Sequence, residues 1–279
     1  MNLFCKIYHY FFPIKKVIKN MYCIDADPPK KKRPLFIQGV IVCINFGDIL
    51  AWTLPQNKHV LDEIVVVTSP EDKLTQRVCE HYHVNCVITN AHKIKGGAGN
   101  FNKAEAINIG LSYLSKNDWV LHMDADILLP PRTHEMIEKA DPIIDHIYGC
   151  DRVNVPSFDD YIKWHSNPVP QITEQAFLHM DEFPHGSRLI RQHGYVPIGY
   201  FQLWNPRGSK VYHYSTAYDE YNSHCDVSHA EQWPRNKRGF IPEIIVMHLM
   251  SEEESQRGVN WEGRKSKPFL LEEKHVIKD

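Results

Sequence analysis

Gly96-Gly97-Ala98-Gly99-Asn100-Phe101-Asn102-Lys103-Ala104-Glu105-Ala106-Ile107-Asn108-Ile109-Gly110-Leu111 and, a few residues on, Trp119-Val120-Leu121-His122-Met123-Asp124-Ala125-Asp126 form the stretch on which the fold turns. Ala104, Ile107, Leu111 and Leu114 recur at helical spacing, so Lys103 to Leu114 predicts an amphipathic helix. Trp119 to Met123 is an apolar run of strand length that stops abruptly at two carboxylates. A period of two puts Asp124 and Asp126 on one side of that strand, with Cα atoms about 6–7 Å apart. Carboxylates that close repel unless a positive charge sits with them. A divalent cation with hard oxygen ligands, Mg²⁺ or Mn²⁺, meets that need and keeps positions open for phosphate oxygens. A polar turn that merely closes a strand is the plainer alternative. The glycines ahead of the helix allow close backbone approach, and a helix N-terminus favours anions. No G-x-x-x-x-G-K-[S/T] can be drawn here, which excludes a P-loop.

Outward from this stretch the chain alternates strand and helix signals. Phe36 to Ile44, Ile64 to Val67 and Val84 to Thr89 read as buried strands, with Trp119 to Met123 as a fourth. Ile49 to Leu54 reads as a short helical piece. Ser69-Pro70-Glu71-Asp72 reads as a helix start, with Ser69 as N-cap, Pro70 at the first helical position, and the helix running to about His81. Such alternation predicts an α/β fold with a mainly parallel sheet flanked by helices, whose ligands sit at the carboxyl ends of the strands. Beyond residue 141 aromatics, His and Pro become frequent, and Val196 to Trp204 and Ile241 to Met247 are the best strands. No Ser/Gly linker interrupts the chain, so residues 34–279 read as one two-lobed domain.

Composition narrows the function. The chain has 279 residues, 43% of them hydrophobic, and a net charge of −2, which fits a folded domain and argues against a nucleic-acid binder. Seven cysteines, none in C-x-x-C spacing, suggest neither a disulfide framework nor a zinc site; a reducing, cytoplasmic setting is expected. No window is apolar enough to span a membrane. Residues 1–33 hold eight Lys/Arg against two Asp and several aromatics, which reads as a basic extension. It is either a solvated tail or a peripheral contact with an anionic membrane surface. No signal-peptide pattern is expected in it.

Asn-Lys-Ala-x-Ala-x-Asn-x-Gly-Leu leading to Asp-x-Asp at the end of a buried strand resembles the family 2 group of GT-A glycosyltransferases, over roughly residues 36–132. A weaker echo covers Gly199-Tyr200-Phe201-Gln202-Leu203-Trp204, Cys225-Asp226 and Ile245-Val246-Met247-His248-Leu249. The resemblance implies a GT-A, Rossmann-like sheet whose first half (34–132) binds a nucleotide sugar and a metal. The second half (133–279) would bind the acceptor (glycan, protein or lipid) and carry a lid loop. It implies nucleotide contacts near Asn45, Thr68, Ser69 and Asp72, and a nucleotide or diphosphate contact at Asn102 and Lys103. Asp124 and Asp126 would hold Mn²⁺ or Mg²⁺, with Asp126 the direct ligand and Asp124 also facing the donor. A late His completes the metal site in several GT-A enzymes, and His248 fits that place. Where the family usually has Asp-Asp-Gly-Ser after the second strand, this chain has Thr68-Ser69-Pro70-Glu71; UDP is the default nucleotide.

An inverting transfer needs a carboxylate to take the acceptor proton. Asp219, Glu220 and Asp226 are candidates, and Asp226 resembles the family's base in position. Arg257, Trp261 and Arg264, between Ser251 and Lys267 with Gly258 and Gly263, suit a closing loop that grips diphosphate and stacks on a sugar or base. Two other functions fit part of the pattern. One is a nucleotide-sugar or glycan-binding protein without catalysis. The other is a HAD-type phosphatase, which also ends a strand in D-x-D but leaves the Gly-rich helix unexplained.

Overall fold

The computed structural model describes residues 34–93, 102–155, 190–191, 194–209, 211–216 and 225–249. Four parallel strands form one side of the sheet: β1 (Ile37–Val42), β2 (Glu63–Thr68), β3 (Asn85–Ile88) and β4 (Trp119–His122). Between them run α1 (Gly47–Val60), α2 (Lys73–His81) and α3 (Lys103–Leu111). Then come β5 (Ile127–Leu128), α4 (Thr133–Ala140), β6 (Ile147–Val155), β7 (Ile190–Arg191), β8 (Gly194–Tyr195), β9 (Gln202–Trp204), α5 (Cys225–Glu231) and β10 (Arg238–Leu249). Eight strands make one sheet in the order β3-β2-β1-β4-β9-β6-β10-β5, and β7 and β8 pair apart from it. Of the described strands in that sheet only β9 and β5 run against the rest, so it is mostly parallel, as the strand–helix alternation predicts.

Period-two alternation divides the apolar residues of β1, β2 and β4 between two cores. Ile37, Ile41, Ile64, Val66 and Leu121 pack with Leu50 and Leu54 of α1 and Val78 and Cys79 of α2. Val40, Val42, Val65, Val67 and Val120 pack with Ala104, Ile107 and Leu111 of α3 and Val227 of α5. The Asn-Lys-Ala-x-Ala-x-Asn-x-Gly-Leu pattern gets its physical sense here. A Cβ at Gly110 would stand 2.6 Å from Val40 Cγ2 and 2.8 Å from Val67 Cγ2, so α3 lies on the sheet at a distance only glycine permits. Asn108 grips the 211–216 segment, donating to Tyr214 O at 2.9 Å and accepting from Tyr214 N at 2.7 Å.

Several elements differ from the sequence expectations. Asp72, not Ser69, caps α2: its Oδ1 accepts from Thr75 N at 3.0 Å. Residues 69–72 form a turn instead, in which Ser69 Oγ accepts from Asp72 N at 3.1 Å. The expected short helix at 49–54 is 14 residues long, because Thr53, Gln56 and Asn57 are buried with it despite being polar. The Val196–Trp204 strand shrinks to Gln202–Trp204. Nothing in the hydrophobic pattern marks β6, whose Asp151 and Arg152 sit mid-strand inside the sheet. On β10 the pairing jumps from Phe240–Gly149 to Ile245–Asp151, a bulge that contains Pro242, which has no N–H for a ladder. The bulge sets His248 opposite both Asn154 and Ile127.

Candidate active site

The carboxyl ends of β1, β2 and β4 converge with the starts of α2, α3 and α5. Asp72 organises the first part. Its Oδ2 accepts from Asn45 N at 2.6 Å, Thr75 Oγ1 at 2.6 Å and Thr68 Oγ1 at 3.3 Å, while Oδ1 caps α2. Asn45 takes a left-handed conformation, φ 61°, which Asn tolerates better than most residues. Thr68, Ser69 and Asp72 are all buried, and Asp72 ties the ends of β1 and β2 to α2. Four of the expected nucleotide residues are thus neighbours, and Asp72 gives its oxygens to the protein itself.

Asn102 caps α3, accepting from Glu105 N at 2.9 Å, and so fixes the first helical residue, Lys103. The Lys103 ammonium pairs with Asp124 Oδ1. Burial works against the charged ammonium, but Asp124, with Cys225 and Asp226 adding, lifts its pKa above the ordinary lysine value. Burial likewise opposes the Asp124 carboxylate, and Lys103 foremost holds it below the usual range. Both groups are therefore ionised at neutral pH.

Asp226, the second residue of α5, faces the same place. Its Oδ2 accepts from Gly199 N at 2.6 Å and its Oδ1 from Val227 N at 2.8 Å. A Cβ at Gly199 would lie 3.0 Å from Asp226 Oδ2 and 3.3 Å from Lys103 Nζ, so these two groups flank a space that glycine keeps open. Burial raises the Asp226 carboxyl above the usual carboxylate range, against the pull of Lys103 and the Gly199 amide.

Asp126 is turned elsewhere. Its Oδ2 stands 3.3 Å from His248 Nε2, and its Oδ1 is buried with no hydrogen-bond partner among the described residues. Asn154 Oδ1 lies 3.3 Å from His248 Nδ1. With its proton on Nδ1, shared with Asn154, the ring would turn the Nε2 lone pair to a cation held with Asp126; with its proton on Nε2 it donates to Asp126 instead. A buried, unpaired carboxylate oxygen beside an imidazole is a donor set that fits Mn²⁺ or Mg²⁺. Among the described residues no three His, Cys, Asp or Glu side chains stand together as a complete cage. The expected ligands fall into two pairs, Asp124 with Lys103 and Asp126 with His248.

Arg257, Trp261 and Arg264, the Gly-rich loop at 96–99 and the basic extension at 1–33 lie outside the described residues, as do Asp219 and Glu220. Gln202, given no role of its own by the sequence, has an Nε2 that donates to Asp226 O at 2.8 Å and to Pro197 O at 3.0 Å. Its Oε1 accepts from Tyr214 OH at 2.6 Å and lies 3.2 Å from His122 Nδ1. Thr53 and Asn57 were likewise given no role; polar residues inside an apolar helix were the signal for them.

A mostly parallel α/β sheet with an Asp-x-Asp pair at the carboxyl end of β4 has the GT-A architecture. The family model described as Glycosyl transferase family 2 matches residues 40–205, and the chain belongs to that family. The match runs from β1 to Asn205 and ends before Asp226 and His248. No curated protein matches the chain.

Solved structures resemble it distantly. Glucosyl-3-phosphoglycerate synthase from Mycobacterium tuberculosis, in complex with Mn²⁺, UDP and glucosyl-3-phosphoglycerate, is 17% identical over 42% of this chain and 44% of that one, with a TM-score of 0.31. The same enzyme with phosphoglyceric acid is 9% identical over 77% and 71%, with a TM-score of 0.40. A putative glucose-1-phosphate thymidylyltransferase from Bacillus anthracis in complex with a sucrose is 11% identical over 73% and 85%, with a TM-score of 0.42. The chain spans less than half the length of the first solved structures it matches.

Proposed function

We propose that the protein transfers a sugar from a nucleotide-sugar donor, by expectation a UDP-sugar, to an acceptor hydroxyl with inversion, and that it does so with a divalent cation. The observation that carries this reading is the meeting of Lys103 and Asp226 at the space beside Gly199, with Asp124 paired to Lys103. Such a transfer needs positive charge for the departing diphosphate and a carboxylate for the acceptor proton, and these residue types supply both.

The roles follow from the chemistry of each group. Asn45, Thr68 and Ser69 would line the place of a base and ribose at the ends of β1 and β2, held there by their hydrogen bonds to Asp72. Asn102 and Lys103 open α3 toward the diphosphate, where an ammonium suits the negative charge. Asp126 and His248 would hold the cation, which when bound neutralises the diphosphate as it leaves, and Asp124 would join them only on leaving its pairing with Lys103. Asp226 takes the proton of the acceptor hydroxyl as that oxygen attacks the anomeric carbon. Burial supports this role, because a carboxyl raised toward neutral pH is a better base. Arg257, Trp261 and Arg264 belong to the proposal as a loop that closes over the donor.

Family membership sets the phosphatase alternative aside. A binding protein without catalysis is separated by Asp226→Asn. We expect that variant to keep nucleotide binding and lose transfer by about 10²–10⁴-fold, the usual weight of a general base. An unchanged transfer rate removes Asp226 as the base.

A further inference from the structure

α1 carries two side chains that the catalytic reading does not use. Thr53 and Asn57 are four residues apart and so share a helix face, and both are fully buried. Buried polar groups have partners, and the partners that matter here belong to the Asp-x-Asp turn and the strand after it. Thr53 Oγ1 donates to Ala125 O at 2.7 Å. Asn57 Nδ2 donates to Ile127 O at 2.8 Å, and its Oδ1 accepts from Leu129 N at 3.0 Å.

The geometry of Asn57 is that of a peptide group in a neighbouring strand. Among the described strands β5 is the last of the sheet, paired on one side to β10 through Ile127–His248 and Leu128–Met247. Its other edge would leave Ile127 O and Leu129 N–H unpaired in the core. The Asn57 carboxamide satisfies both and stands in for the missing strand. Across the turn, Leu249 N donates to Asp126 O at 2.9 Å. Asp126 is therefore held by backbone on both sides, Ala125 by Thr53 and Ile127 by Asn57. The same bonds set β5 against the segment of β10 that carries His248.

We propose that Thr53 and Asn57 are positioning residues for the cation site, fixing the Asp126–His248 pair through the backbone of residues 125–129. Their role rests on the cation reading above and adds two residues that touch neither donor nor cation. Outer-shell partners of metal ligands commonly change affinity by about 10–100-fold when lost.

The test is Mn²⁺ binding to the full chain, followed by electron paramagnetic resonance of the free ion, with no donor or turnover required. Thr53→Val keeps the shape and removes the hydroxyl; Thr53→Ser keeps the hydroxyl. We expect Thr53→Val to weaken Mn²⁺ binding by about tenfold and Thr53→Ser to restore it to within about twofold of the wild type. Asn57→Asp, which loses the donor to Ile127 O, is expected to weaken it further, and circular dichroism checks that it folds. Asp126→Asn is the control. If it abolishes binding while Thr53→Val binds as tightly as the wild type, the positioning role is wrong and the cation reading stands. If the wild type binds no Mn²⁺, or binding survives Asp126→Asn, the cation reading fails and takes this inference with it.

Discussion

In the proposed reaction Asp226 is the base. Its carboxyl is raised by burial yet keeps two backbone N–H donors, from Gly199 and Val227. A base works only when deprotonated, so transfer should fall as pH drops through this raised pKa. The acid limb of the kcat/KM profile should then sit above the range of an ordinary aspartate. A profile flat down to about pH 4, the ordinary aspartate value, contradicts the assignment. Asp226→Asn should remove the limb along with the rate. Lys103 and Asp124, by contrast, stabilise each other's charged forms, so neither should titrate across the working range.

Helix α3 shows how an element positions these residues. Gly110 lets it touch β1 and β2, Asn102 caps it, and Asn108 ties it to Tyr214. Gly110→Ala pushes a methyl group against Val40 and Val67, and overpacking of this kind costs about 1–3 kcal/mol. A melting temperature lowered by several degrees is expected, and an unchanged one would mean the helix sits farther from the sheet. Between β4 and β9 lies a buried polar group in which His122 meets Gln202 and Tyr214. Burial, with Lys103 adding, lowers the His122 pKa to about 4 from the usual 6.5. The unfolded chain therefore takes up this proton first. The stability His122 contributes is complete above pH 6.5 and is lost as pH falls toward 4. Melting temperatures across that window should decline, and His122→Gln should flatten the decline. If the two proteins show the same slope, His122 is not the group responsible.

Across the whole molecule, the parallel half was legible because β1, β2 and β4 are buried on both faces and read as apolar runs, and because Asp-x-Asp closes the last of them; β3, read as a buried strand too, is instead an exposed edge with Asn85 and Ile88 at the surface. Lys103, Asp124 and Asp226, which the fold brings close together, stood out for a related reason: they are charged groups at element ends. The rest was hidden by contact across the chain. Strand β6 keeps Asp151 and Arg152 inside a sheet, and α1 buries Thr53 and Asn57, which satisfy their polar atoms with residues far along the sequence. Asp72 reads as a nucleotide contact and serves as the tie among β1, β2 and α2, a role set by four donors that no spacing announces. Charge is spread unevenly too, with a basic first 33 residues against an acidic remainder, which suits a site that gathers a cation before an anionic donor. Cation-dependent transfer from a nucleotide sugar can be tested by incubating the protein and Mn²⁺ with a panel of nucleotide sugars and reading release of the free nucleotide. At least one donor should be cleaved, a chelator should stop the cleavage, and Asp126→Asn should abolish it. If no donor is bound or cleaved with the cation present, or if cleavage persists in the chelator, the protein is not the cation-dependent transferase proposed.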